Sequence, residues 1–162
     1  MPNVKNVLPN RWPMTATLGS VPTSATRVSP ESWKAAAAND YAQFLQMLLN
    51  GGTLDGKRYL GPSTLCLMTA DHANAGAGVV PGPLYLPGAG YGFGLGFAVR
   101  RAAGEAPYPS EAGEYYWGGA GGTYMWVDPK SDMFVVFMMQ SPKNRSHYRS
   151  LIRNMVYAAV LK

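Results

Sequence analysis

The chain has 162 residues, of which 47% are hydrophobic, 12% aromatic and 14% charged. That is long and apolar enough to bury a core in one domain, and it excludes disorder as the dominant state. The one cysteine, Cys66, excludes an intrachain disulfide and a thiolate metal cluster. The net charge of +5 is carried from Lys130 onward, where Lys130, Lys143, Arg145, Arg149, Arg153 and Lys162 face a single acid, Asp132. This tail does not show the pattern of a nucleic-acid groove, and Arg149 and Arg153, one helical turn apart, read as a solvated helix face. No apolar run reaches the roughly 18 residues of a membrane span, and the opening MPNVKNVLPNRWPM has no signal-peptide core. A cytoplasmic chain with no membrane partner is expected.

Residues 1–30 hold five prolines and one aromatic, Trp12, and read as a Pro/Ser/Thr-rich arm; residues 31–162 read as a single α+β domain. Ser29-Pro30-Glu31 is a helix start, with Asn39 as a second one, and Trp33, Ala37, Tyr41, Phe44, Leu45 and Leu48 fall on one face. Asn50-Gly51-Gly52 stops that helix. TLDGKRYLGPS reads as a turn and an extended stretch, and Pro62 opens a second helix that carries Leu65, Met68 and Cys66 and ends near Asp71-His72.

Four strands are expected next. YGFGLGFAVR alternates heavy and small residues from Tyr91 to Val99 as one strand. EYYWGG (114–119), TYMWVD (123–128) and MFVVFMMQ (133–140) follow, the last two joined by Asp128-Pro129-Lys130-Ser131, and short connections make an antiparallel meander. The closing helix has a stripe of Tyr148, Leu151, Ile152, Met155 and Ala159 that is expected to pack on the sheet.

His72 and His147 lack metal-ligand spacing, so neither a metal nor a cofactor is expected. Cys66 and His72 fall on different helix faces, and Cys66 reads as a small core hydrophobe. No phosphate-cradling glycine loop is present. The segment that stands out runs from Tyr115 to Tyr124, where aromatics end in a glycine run at a strand terminus and leave backbone N–H groups unencumbered. Residue spacing alone leaves it open whether this is a hairpin turn or a site.

The strings DYAQFLQMLLNGGTLDGKRYLGPSTLCLMTADH, YGFGLGFAV and YYWGGAGGTYMWVDPKSDMFVVFMMQ resemble, in the same order, the C-terminal portion of the serine β-lactamase-like hydrolases, and within them the class C β-lactamase-related carboxylesterases. The resemblance runs from about Asp40 to Gln140. It implies that Trp117, Gly118 and Gly119 stand where the family has Lys-Thr-Gly on the strand lining the active site. Tyr116 and Ala120 join them as substrate-binding candidates, with the Ala120 backbone N–H as an oxyanion donor. The substrate implied is a small ester, amide or β-lactam. Trp117 in place of lysine removes a positive charge and favours neutral esters.

The departures from the family also count. None of the ten serines is followed by Lys at the third position; Ser24, Ser146 and Ser150 have Arg there, and arginine does not deprotonate to act as a base. No catalytic residue is therefore expected in this chain, and residues 1–38 do not follow the family pattern. The resemblance further implies that the last strand, 133–140, pairs with N-terminal strands. An unpaired apolar edge is a template for pairing, so a homo-oligomer or an N-terminal-half partner is expected there. The alternative function is a truncated, non-catalytic module that self-associates or binds ligand through its aromatic sheet. An unorthodox nucleophile, Ser20 or Ser110 with a histidine, finds no motif support.

Overall fold

A computed structural model describes residues 38–73 and 85–160. The proline-rich arm, the start at Ser29-Pro30-Glu31 and Trp33 lie outside these residues. Helix α1 spans Ala38–Leu49 and ends where the sequence predicts. The N–H of Gly52 donates to Met47 O at 2.9 Å and that of Gly51 to Leu48 O at 3.1 Å, the paired bonds of a Schellman stop. Strands β1 (Thr53–Leu54) and β2 (Lys57–Arg58) form a small antiparallel hairpin. Its Asp55-Gly56 turn has both residues at positive φ, the conformation that two-residue hairpins need. Helix α2 is Pro62–Met68, with Pro62 in its first turn.

The main sheet has five strands: β3 (Tyr91–Phe93), β4 (Ala98–Arg100), β5 (Tyr115–Gly118), β6 (Tyr124–Asp128) and β7 (Met133–Phe137). They lie in that spatial order, each antiparallel to the next. The run read as one strand, YGFGLGFAVR, is two. Gly94-Leu95-Gly96 reverses the chain, with Gly96 at φ +91°, and Tyr91 pairs with Arg100. Alternation continues across a tight turn, so a period of two cannot tell one long strand from a hairpin. The Asp128-Pro129-Lys130-Ser131 turn is present, its Asp128 carboxylate accepting from the N–H groups of Lys130 and Ser131 and from the Ser131 hydroxyl.

The sheet has two unlike faces. Phe97, Val99, Tyr115, Met125 and Val127 pack with Leu45, Met47 and Leu48 of α1, with Trp117, Phe134, Val136, Leu65 and Met68 around them. Each such side chain removed from water contributes about 1.5–3 kcal/mol. Phe44 is not part of that face: it is 37% exposed, while Met47 is buried. Cys66 is exposed, not a core residue.

The other face is covered by α3, Arg145–Ala159, but not through the stripe the sequence suggests. Tyr148, Leu151 and Met155 are exposed, whereas Arg153 is fully buried. Tyr157 stacks on Trp126 and donates to Asp128 Oδ2 at 2.9 Å. The polar and aromatic side of α3 meets the sheet because this sheet face carries partners for it, Tyr116, Tyr124, Trp126 and the acids Glu114 and Asp128. Strand β7 ends the sheet among the described residues, and all five of its residues are half-buried.

Candidate functional site

Strand β5 delivers Tyr116, Trp117 and Gly118 to its open end, and Gly119 to Thr123 turn the chain into β6. Gly119 N–H donates to Thr123 O at 2.9 Å, and Gly122 N–H to Gly119 O at 3.2 Å. A cleft of about 330 Å³ opens beside this turn. All five residues singled out in the sequence, Tyr116, Trp117, Gly118, Gly119 and Ala120, line it, together with Tyr124, Leu86 and Tyr108. The opposite wall is the first two turns of α3, with Arg145, Ser146, Arg149 and Ser150. Trp117 also packs against the apolar core and meets Phe93 edge-on at 5.2 Å between ring centroids.

The turn is held from the α3 side. Arg149 Nη2 donates to Gly119 O and to Thr123 O, the latter at 2.8 Å, and Arg145 Nη1 donates to Ala120 O at 3.4 Å. Gly119 O and Ala120 N–H belong to one peptide group, and in a trans peptide the two point opposite ways. With the carbonyl turned to Arg149, the Ala120 N–H is directed away from α3. Ala120 is exposed, and its N–H has no hydrogen-bond partner among the described residues.

Beneath the cleft lies a buried polar node. Arg153 forms an ion pair with Glu114, both side chains fully buried, and donates to the Tyr124 hydroxyl. The rings of Tyr91, Tyr108, Tyr116, Tyr124 and Trp126 stand 4.5–5.9 Å from its guanidinium carbon, close enough for cation–π attraction. Glu114 Oε2 also accepts from Tyr91 at 2.9 Å and Ser110 at 2.7 Å. Burial pulls the Arg153 guanidinium down, but Tyr124, Glu114 and Tyr91 more than offset it and its affinity for the proton rises. Burial is the main cause that raises Tyr116 and Tyr124 far above the ordinary phenol range. Arg149 is lowered, mainly by burial.

Arg153 is the clearest reversal of the sequence reading, which placed it on a solvated face. The signal that could have found it was the i, i+4, i+8 spacing of Arg145, Arg149 and Arg153, which puts three cations on one side of a helix opposite a tyrosine-rich strand pair. Ser110 is also removed as a nucleophile, since it is buried and its hydroxyl is committed to Glu114; Ser20 lies outside the described residues. Neither histidine lines the cleft; His72 is hydrogen-bonded to Leu67 O and His147 lies against Tyr148. Among the described residues no cluster of His, Cys, Asp and Glu could hold a metal ion, and no helix is long and apolar enough to cross a membrane.

The family model described as Beta-lactamase matches residues 4–159. The chain belongs to the beta-lactamase family. The match starts well before Asp40, which overturns the expectation that residues 1–38 stand outside the family pattern. Two curated proteins of Mycobacterium tuberculosis, Protein Rv1367c and Uncharacterized protein MT1414, are each 33% identical over 112 residues, covering 64% of this chain. The chain spans about a quarter of their length, 26%.

Among solved structures, one titled EstCE1, a hydrolase with promiscuous acyltransferase activity, is similar at a TM-score of 0.61 and 30% identity, over 75% of this chain and 30% of that one. A penicillin-binding protein homolog from Caulobacter crescentus shares the fold at a TM-score of 0.51 and 23% identity, over 73% of this chain and 30% of that one. This beta-lactamase family member therefore has an α+β fold similar to that of EstCE1.

Proposed function

We propose that this chain forms one wall of the active site of a carboxylesterase-type serine hydrolase, with Trp117-Gly118-Gly119 lining the acyl pocket and Ala120 N–H as one oxyanion donor. The observation that carries the reading is the exposed, unpartnered Ala120 N–H at the end of the Trp-Gly-Gly strand. In such a reaction a serine Oγ bonds to the ester carbonyl carbon, its proton passing to a base. The carbonyl oxygen becomes an oxyanion held by backbone N–H groups, and the C–O bond to the alcohol then breaks as the base returns the proton to the leaving oxygen. Water repeats the sequence on the acyl-enzyme. A neutral Trp117 suits a neutral ester, and the hydrolase title of EstCE1, at 30% identity, supports the reaction class.

The nucleophile comes from outside the described residues. Ser146 and Ser150 line the cleft, but each is followed at the third position by an arginine, and both stand on the α3 side, from which the Ala120 N–H is turned away. The partner expected at β7 would be the source of the serine or a second copy of the chain: the strand is at the sheet edge, half-buried, and carries no gatekeeping charge between Met133 and Phe137. The test treats the purified chain with a fluorophosphonate probe and a short-chain p-nitrophenyl ester, alone and with a chain that supplies the family's S-x-x-K segment. Turnover only in the mixture is expected. Labelling of Ser146 or Ser150 with turnover by the chain alone would overturn the assignment. Light scattering on a size-exclusion column should give more than one chain per particle at micromolar concentration; a clean monomer removes the self-pairing form of the partner.

A further inference from the structure

We propose that Arg149 is a positioning residue for the oxyanion turn, an inference that rests on the reading of Ala120 as the donor. Its guanidinium holds the carbonyls of Gly119 and Thr123 together, the two ends of the turn. Because Gly119 O and Ala120 N–H share a rigid peptide plane, a fixed carbonyl is a fixed N–H direction. A cation on the carbonyl oxygen also polarises the peptide and makes its N–H a stronger donor. Arg149 thus acts on a developing oxyanion through the peptide, without touching it.

A second, independent observation concerns Gly118. Its φ is not positive, so its backbone does not require glycine. A methyl group there would stand 2.5 Å from Arg149 Nη2 and 2.6 Å from its Cζ. The glycine makes room for the guanidinium. The other side of Arg149 is fixed too: its Cζ is 5.2 Å from the centroid of the Tyr124 ring, and Tyr124 is held by the buried Arg153. The chain of positions from Glu114 through Arg153, Tyr124 and Arg149 to the turn is continuous.

Three variants separate this from a general role in folding. Arg149→Ala removes the clamp, Arg149→Lys leaves a cation that can reach one carbonyl, and Gly118→Ala displaces the guanidinium without deleting it. In 15N NMR of the full chain, the Ala120 amide nitrogen is expected to shift in the same direction in Arg149→Ala and Gly118→Ala, with lower heteronuclear NOE values over 119–123 and unchanged Trp126 and Val127 amides. The double variant should add nothing to either single one. Lysine should restore part of the shift. In the mixture that turns over ester, kcat is expected to fall about tenfold to a hundredfold with KM within about twofold, the size of effect that small misplacements produce. An Ala120 amide that does not respond to Arg149→Ala, or a Gly118→Ala effect that adds in full to it, overturns the proposal. Absence of turnover in the wild-type mixture would instead defeat the assignment of the donor, and the amide measurements would still decide the clamp.

Discussion

The two faces of the five-stranded sheet are built on opposite principles. Under α1 and α2, the side chains are those any amphipathic pattern would select, Leu45, Leu48, Phe97, Val99, Met125 and Val127, and burial alone holds them. Under α3, the contacts are Arg153 on Glu114, Tyr157 on Asp128 and Arg149 on two backbone carbonyls, while the apolar residues of the same helix face outward. Apolar packing tolerates exchange of shape at modest cost. A buried ion pair with ring and hydroxyl partners fixes positions at the price of being brittle, and it is this brittle face that carries the turn at Ala120.

The sharpest test of that contrast is Arg153→Ala, which strands Glu114 without its cation. A loss of about 3–5 kcal/mol is expected from urea denaturation, and a loss below about 1 kcal/mol would mean that the node does not hold the helix. On the apolar face, Leu45→Ala should cost about 2–5 kcal/mol, with the urea midpoint moved and the slope kept. Unlike Arg153→Ala, it is expected to leave the Ala120 amide resonance in place.

Alkaline pH should weaken the polar face. Burial, with Glu114 as the next cause, pushes the Tyr91 hydroxyl from 10.0 up to about 12. The unfolded chain therefore releases this proton near pH 10 while the folded chain keeps it. Stability is fully present below about pH 10 and falls as pH rises towards 12. A urea midpoint measured from pH 7 to 11.5 should be flat and then drop. Smallest of all, Leu151→Ala on the outward stripe of α3 should change stability by no more than about 0.5 kcal/mol. A cost above about 2 kcal/mol would show that something covers this stripe in solution.

What was legible in the sequence follows the same division. The helix stop at Gly51-Gly52, the start at Pro62, the turn after Asp128 and the Trp-Gly-Gly-Ala strand end depend on local backbone chemistry, and each is where the residues say it is. Periodicity failed where its physical premise failed. Between Tyr91 and Val99 it read through a hairpin, because Gly94 and Gly96 are small residues in either interpretation. On α3 it took apolar for inward, but inward was set by what the sheet offered, and a helix carrying Arg145, Arg149 and Arg153 at four-residue spacing found tyrosines and acids there. The cleft wall formed by Arg145 and Arg149 was invisible because it depends on two segments that are 25 or more residues apart coming together.

The exposed Cys66 sets a limit of valence on any covalent assembly of this chain. A molecule with one accessible thiol can be oxidised to a disulfide-linked pair, but every pair is then spent, and no ladder of larger species can grow from it. Association along β7 has no such ceiling imposed by sulfur. A non-reducing gel and a reducing one therefore isolate the sulfur mode: a single dimer band that vanishes with reductant belongs to Cys66.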